Sequence, residues 1–330
     1  MKLPSPVEQV DEFQVVERTY SSDARHLSVG LANISAVVPG VEENKDKILR
    51  AATIFRDRGV NVAIFPEFCL SGYFWDAEDD CREYMATALT ERHVDWIENS
   101  LKPLLDDTLV AIVLNNLTEG PGGKYLNSTF VVDREGAHLD DEDTYEKVFV
   151  PGIEKTFTQS GRDDRLFIDS ESMGARIGFT TCYDYLFNDL LREYTLNDEV
   201  EAVIQIASWR AAATRDYPGM NIRTDAYYGE LWDKVMAANS ATNQVWTFAC
   251  NAVGTHDVSG ATFWGGSGVW APSGLELVQA SHVNEELLIV QNLDIKGARD
   301  DEHEEFNYAI DFKEIYRPLE DSRGFSRSIG

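Results

Sequence analysis

The sequence predicts an α/β fold made as one domain, with sheets covered by helices. Three observations carry that prediction. Short apolar runs alternate with segments whose apolar residues recur at helical spacing. The best strand candidates are apolar on both faces, as strands buried between two layers must be. No Pro/Gly/Ser linker is long enough to divide the 330 residues, and 43% hydrophobic residues supply a large core.

The elements follow in order. After a polar arm over residues 1–26, residues 27–34 read as a buried strand, and Pro39 and Gly40 then lead into a helix over 42–58. Ile48, Ala51, Ala52 and Phe55 fall on one face of that helix, and Gly59 stops it. Residues 60–65 form a second strand, which closes a βα unit of the right-handed kind. A helix is predicted over 82–99, strands over 109–114, 129–132, 165–168 and 176–180, and a helix over 184–194. A strand over 202–207, a helix over 225–241 and strands over 245–250, 268–270 and 287–291 complete the pattern. The domain is placed at 27–293, with a C-terminal arm over 294–330 that is too polar for a core of its own and is expected to lie on the body or on a second subunit.

Fifty-seven acids against 29 bases leave a formal charge of −28, so a nucleic-acid backbone or an anionic membrane surface would be repelled. An acid-rich chain with only 10 Lys fits a salt-adapted protein or a merely acidic one, and both readings stand. No run reaches the roughly 18 apolar residues of a membrane span, and the N-terminus lacks the apolar stretch of a signal peptide; a soluble, cytoplasmic protein is expected. Cys69, Cys81, Cys182 and Cys250 form no C-x-x-C pair, so reduced thiols are expected. The six histidines lack zinc-helix spacing, and the acidic stretches 76–83, 140–146 and 300–305 lack calcium-loop order and read as solvated loops. No metal and no cofactor are expected.

Three residues can carry chemistry. Cys182 follows the apolar run 177–181 and precedes a predicted helix, so an elbow presents its thiol and a helix N-terminus favours the thiolate; a small core residue is the alternative reading. Glu67 follows a buried strand and the rigid Pro66, where a dry setting would raise its pKa toward neutrality. Lys147 lies in another apolar stretch, and lysine is seldom buried without a partner.

The strings Phe65-Pro66-Glu67, Lys147-Val148-Phe149-Val150-Pro151 and Thr181-Cys182-Tyr183-Asp184 resemble, in order and spacing, the three signatures of the nitrilase superfamily of carbon-nitrogen hydrolases. Ile153-Glu154-Lys155-Thr156 with Gly161, and the run 266–274, are similar to two further family segments. The resemblance implies a four-layer αββα sandwich that pairs into a homodimer or a larger even assembly. It also implies a catalytic triad of Glu67, Lys147 and Cys182: a nucleophile, a proton carrier and an oxyanion stabiliser, with the Tyr183 backbone N–H beside the lysine. Glu154 matches the family's second glutamate and would position substrate or hold Lys147, although Glu146 could compete for that lysine.

Tyr73, with Phe74 and Trp75, reads either as pocket wall or as core, and Tyr183, Ser208, Trp209 and Arg210 are expected to line the substrate site. Arg210 reads either as a reader of a substrate carboxylate or as an exposed arginine. The Cys-Tyr-Asp order resembles the amidase and Nit-like branches, where a small amide is the partner, with local similarity to pantetheinase and biotinidase. A nitrilase is the alternative, and a catalytically idle scaffold the second.

Overall fold

The computed structural model describes residues 7–73, 79–162, 165–170 and 174–316. The predicted wall residues Phe74 and Trp75, part of the acidic stretch 76–83 and the end of the C-terminal arm lie outside the described residues.

Strand pairing organises the chain into two large sheets. The first holds β1 (Val7–Val10), β2 (Phe13–Thr19), β3 (Leu27–Asn33), β4 (Val62–Ile64), β5 (Ala111–Glu119), β6 (Tyr125–Val132) and β7 (Tyr145–Glu146). The second holds β8 (Phe167–Ser170), β9 (Ala175–Thr181) and β10 (Ala202–Ala207). A small hairpin of β11 (Arg215–Tyr217) and β12 (Ile222–Thr224) follows. The second sheet then gains β13 (Trp246–Asn251), a second hairpin pairs β14 (Val253–Thr255) with β15 (Thr262–Trp264), and β16 (Gly268–Trp270) and β17 (Glu276–Gln279) finish the second sheet. Finally β18 (Glu286–Leu293) returns to the first sheet and inserts between β2 and β3, parallel to one and antiparallel to the other.

Each sheet carries helices on its outer side. Helix α1 (Val41–Asp57) packs Ile48, Ala52 and Phe55 against Ala63, Ile112 and Leu287. Gly30 of β3 lets it approach closely, because a Cβ there would meet the Phe55 ring at 2.5 Å. After α2 (Asp79–Thr87), helices α3 (Asn188–Leu196) and α4 (Tyr227–Asn243) set Leu191, Tyr194, Trp232 and Met236 against Val203 and Ala249 of the second sheet. Between the sheets lies a third core, with Leu31, Ile64 and Val113 facing Phe179, Ile204 and Phe248. Helices, sheet, sheet and helices make the four-layer αββα sandwich.

Two expectations change. Residues 7–19, read as part of an N-terminal arm, form two strands of the first sheet. Phe13, Val15 and Val16 are buried there, while acids and glutamines on the intervening positions disguise the pattern. The helix expected over 82–99 breaks at Leu89, where Thr90 Oγ1 donates to the Leu117 carbonyl at 2.8 Å and Asn116 donates to the Ala88 carbonyl at 2.7 Å; tertiary bonds override the local period there. The C-terminal arm begins with helix α5 (Ile295–Glu305), docked through a 3.0 Å bond from Trp246 Nε1 to the Ile295 carbonyl.

The strands β3, β4 and β5 run parallel in the first sheet, as do β9, β10 and β13 in the second. Glu67 follows the carboxyl end of β4, Cys182 that of β9 and Ser208 that of β10, so one end of the sandwich gathers all three. The Glu67 backbone N–H donates to the Ala207 carbonyl at 3.3 Å and joins the two sheets at this end.

Candidate active site

Glu67, Lys147 and Glu154 form one buried ion cluster. Lys147 Nζ donates to Glu67 Oε1 at 2.8 Å and to Glu154 Oε2 at 2.6 Å, with no side chain of the three exposed. Glu146, the possible competitor for this lysine, turns away and accepts the Arg162 backbone N–H at 3.0 Å. Gly161, whose backbone N–H donates to the Lys147 carbonyl at 2.9 Å, passes so close to Glu146 that a Cβ would meet its side chain at 2.2 Å.

Each carboxylate is held by further donors. Ser208 donates its backbone N–H to Glu67 Oε2 at 2.7 Å and its hydroxyl to the Glu67 carbonyl at 2.9 Å. Tyr73 donates its hydroxyl to Glu154 Oε2 at 2.8 Å, and its ring lies 6.0 Å from Lys147 Nζ. Asn127 bridges the two acids, with Nδ2 donating to Glu67 Oε1 at 2.8 Å and to Glu154 Oε1 at 2.9 Å. Asn115 in turn donates to Asn127 Oδ1 at 2.8 Å and accepts the Phe68 backbone N–H at 2.9 Å. Sequence reasoning missed both asparagines. Their only signal is a polar side chain inside an otherwise buried strand, which must find hydrogen-bond partners.

Electrostatics follow from burial and the charge count. Burial raises the Glu67 pKa, with Lys147 opposing and Glu154 reinforcing it. Burial alone would push Lys147 down, but the charges of Glu154 and Glu67 reverse this and keep it protonated. One lysine thus lies between two carboxyl groups in a dry site.

Cys182 opens the short helical turn Cys182–Leu186 in a left-handed backbone conformation, φ 51°, and its carbonyl accepts Gln205 Nε2 at 3.0 Å. Such a φ in a non-glycine residue is a strained elbow, held here by the surrounding bonds. The thiolate expectation is corrected. Burial, followed by the Glu67 charge, pushes the thiol well above its ordinary pKa, with Lys147 opposing. The turn after Cys182 is only five residues long and α3 starts at Asn188, so no long helix points its N-terminus at the sulfur. The thiol is therefore a neutral donor facing the Glu67 carboxylate.

A cavity of about 170 Å³ opens at this point. Tyr73, Cys182, Tyr183, Ser208, Trp209 and Arg210, all expected in the site, line it, and Ile153, Leu186 and Tyr228 add apolar wall. Trp209 is fixed by its backbone N–H to Asn251 Oδ1 at 2.7 Å and by Nε1 to the Tyr228 carbonyl at 2.8 Å. Among the described residues no group of three or more His, Cys, Asp or Glu could hold a metal ion, and no helix is long and apolar enough to cross a membrane.

Known structures share this architecture. An amidase from Nesterenkonia sp. is 21% identical with a TM-score of 0.63, over 86% of this chain and 98% of that one. A glutamate-to-glutamine mutant of the Nesterenkonia sp. AN1 amidase, showing Michael addition of acrylamide at its active-site cysteine, is 20% identical with a TM-score of 0.63, over 86% of this chain and 100% of that one. The glutamine-dependent NAD+ synthetase of Acinetobacter baumannii is 18% identical with a TM-score of 0.61, over 80% of this chain and 45% of that one. At these identities the likeness is one of fold. No curated protein sequence matches the chain. The family profile described as carbon-nitrogen hydrolase matches residues 28–300, nearly the whole described body. The chain therefore belongs to the carbon-nitrogen hydrolase family and is an enzyme acting on carbon–nitrogen bonds.

Proposed function

We propose that the enzyme hydrolyses a small amide through a thioester on Cys182. The observation that carries this reading is the buried cluster in which Lys147 joins Glu67 to Glu154 while Glu67 faces the thiol. As the sulfur attacks the amide carbon, the thiol proton passes to Glu67, so the negative charge leaves the carboxylate and reaches the carbonyl oxygen. Lys147 and the Tyr183 backbone N–H stabilise that oxyanion. Collapse breaks the C–N bond, and Glu67 returns the proton to the departing nitrogen, leaving the thioester.

Water then repeats the sequence. Glu67 takes its proton while its oxygen bonds to the carbonyl carbon, the C–S bond breaks, and the proton returns to sulfur. Free enzyme and a carboxylic acid result. Glu154 acts on Lys147, which it holds in place by the 2.6 Å contact. Tyr73, Tyr183, Trp209 and Arg210 shape the pocket, whose small volume and apolar wall suit a short acyl chain.

A panel of primary amides, N-carbamoyl compounds, pantetheine-like secondary amides and nitriles, assayed for released ammonia or amine, tests the proposal. Release from amides and not from nitriles is expected. Release from nitriles alone would make the enzyme a nitrilase, and inertness toward every compound would overturn the proposal.

A further inference from the structure

We propose that Asp184 is a positioning residue of this reaction, its carboxylate fastening the turn that presents Cys182 to the strand end that presents Lys147. The inference rests on the reading of those two residues as nucleophile and oxyanion stabiliser. Asp184 is fully buried. Its Oδ1 accepts the Phe149 backbone N–H at 2.7 Å, and its Oδ2 accepts the Tyr145 hydroxyl at 2.8 Å and the Thr181 backbone N–H at 3.2 Å. Tyr145 and Phe149 stand two residues to either side of Lys147, and Thr181 directly precedes Cys182.

One side chain thus bridges the two sheets at the point where each delivers a reacting group, since Tyr145 belongs to the first sheet and Thr181 to the second. Apolar contacts between the sheets are non-directional and tolerate sliding. Three hydrogen bonds converging on one carboxylate are directional, and they fix the spacing of thiol and ammonium. A buried carboxylate is costly to keep where packing alone is needed. Here it supplies acceptors to two backbone N–H groups that lie beside the reacting residues.

The same arrangement makes the clamp sensitive to a proton. Burial raises the Asp184 pKa to about 6, against the charge of Lys147 and the three donors. A protonated carboxyl would bring a further hydrogen to a place where three donors already point, so either the Tyr145 hydroxyl turns to accept it or one bond is lost. The ionisable groups around it are Lys147 and Tyr145 on the β7 segment and Tyr194 on α3; Glu67, Glu154 and Cys182 couple to it through Lys147.

Asp184→Asn and Tyr145→Phe test the proposal, with turnover of an amide expressed per iodoacetamide-reactive Cys182, a pH profile of that alkylation, and thermal melts. For Asp184→Asn, kcat per reactive thiol should fall roughly 10- to 100-fold, with KM within about threefold of wild type. The acid-side step near pH 6 in Cys182 alkylation should vanish, while any step due to Glu67 remains. Tyr145→Phe removes one donor, so kcat should fall by a smaller factor and the step should move to higher pH. Unchanged kcat per thiol and an unchanged step near pH 6, with only the melting temperature lowered, would overturn the proposal. Should Asp184→Asn fail to fold, wild-type kcat and an unmoved step in Tyr145→Phe would overturn it equally. If wild type turns over no amide, the hydrolytic reading fails, and the alkylation profile alone still decides the role of Asp184.

Discussion

Glu67 Oε1 and Lys147 Nζ meet at 2.8 Å with neither side chain exposed to solvent. Burying such a pair is costly unless every remaining donor and acceptor is matched. Glu154, Asn127 and the Ser208 backbone supply those matches, and Glu67 also faces the thiol. The pair is thus both a structural keystone of the site and the source of its proton affinity, and substitutions should separate the two contributions.

Glu67→Gln preserves shape but cannot carry a proton, so turnover should fall on the order of 10²-fold or more. Its new amide N–H₂ would also meet donors already pointing at Glu67, from Asn127 and Lys147 on one oxygen and Ser208 on the other. A modest loss of thermal stability is expected beside the kinetic loss, with substrate binding retained. Single-turnover kinetics and a melt check both.

Lys147→Met leaves Glu67 and Glu154 buried without their cation, which should destabilise the fold by about 3–5 kcal/mol. The sign of the pH effect follows from Glu67, whose folded pKa already lies above its unfolded value. Without Lys147 it rises further, so the folded state binds the proton more tightly than the unfolded one. The stabilisation is fully present below the unfolded carboxylate pKa and is lost as pH rises through the folded value. The melting temperature of Lys147→Met should therefore recover toward mildly acidic pH more than that of wild type. A variant as stable and active as wild type at neutral pH would remove the lysine from the mechanism.

Asn127→Leu keeps comparable volume but removes the bond to each glutamate. Two charge-assisted bonds at about 1.5–3 kcal/mol each predict a stability loss on the order of 3 kcal/mol or more. The kcat should fall with it, because Glu67 loses a partner that orients it. Denaturant unfolding and steady-state kinetics on the folded fraction measure the two effects.

A homodimer or a larger even assembly is expected in solution. The segment after α5 presents half-exposed Phe306, Tyr308 and Ile310 next to the end of α4, to which Gln244 ties it by bonds of 2.6 Å to the Phe306 carbonyl and 2.9 Å from the Tyr308 N–H. Sedimentation at micromolar concentration should show no active species of 37 kDa.

How far the sequence foretold this depends on what each residue's neighbours conceal. The strands at Ala202–Ala207 and Gly268–Trp270 have the predicted bounds, because both are continuous buried runs. The strands Val7–Val10 and Phe13–Thr19 escaped because their exposed positions carry acids and glutamines that read as a polar arm. Glu67, Lys147 and Cys182 were legible as reactive groups set inside apolar runs, and the structure brings them together with Glu154. Asn115, Asn127 and Asp184 were not legible in their roles. Their partners lie far along the chain or across the two sheets, and asparagine or aspartate in isolation reads as a turn or a cap. The thiolate expectation erred for a related reason: a helix N-terminus can be read locally, whereas the burial that holds the thiol neutral comes from neighbours on several segments and the reinforcing charge from Glu67, over a hundred positions away.

Peptide mapping by mass spectrometry, after brief exposure to an amide substrate and an acid quench, shows which cysteine becomes acylated. Cys69, only two residues from Glu67, is the competitor, but it is buried and its Sγ is bonded to the Asn115 carbonyl at 3.3 Å. The acyl mass is expected on the peptide containing Cys182 and on no other cysteine. Acyl mass on Cys69, or ammonia release with Cys182 replaced by alanine, would contradict acylation at Cys182.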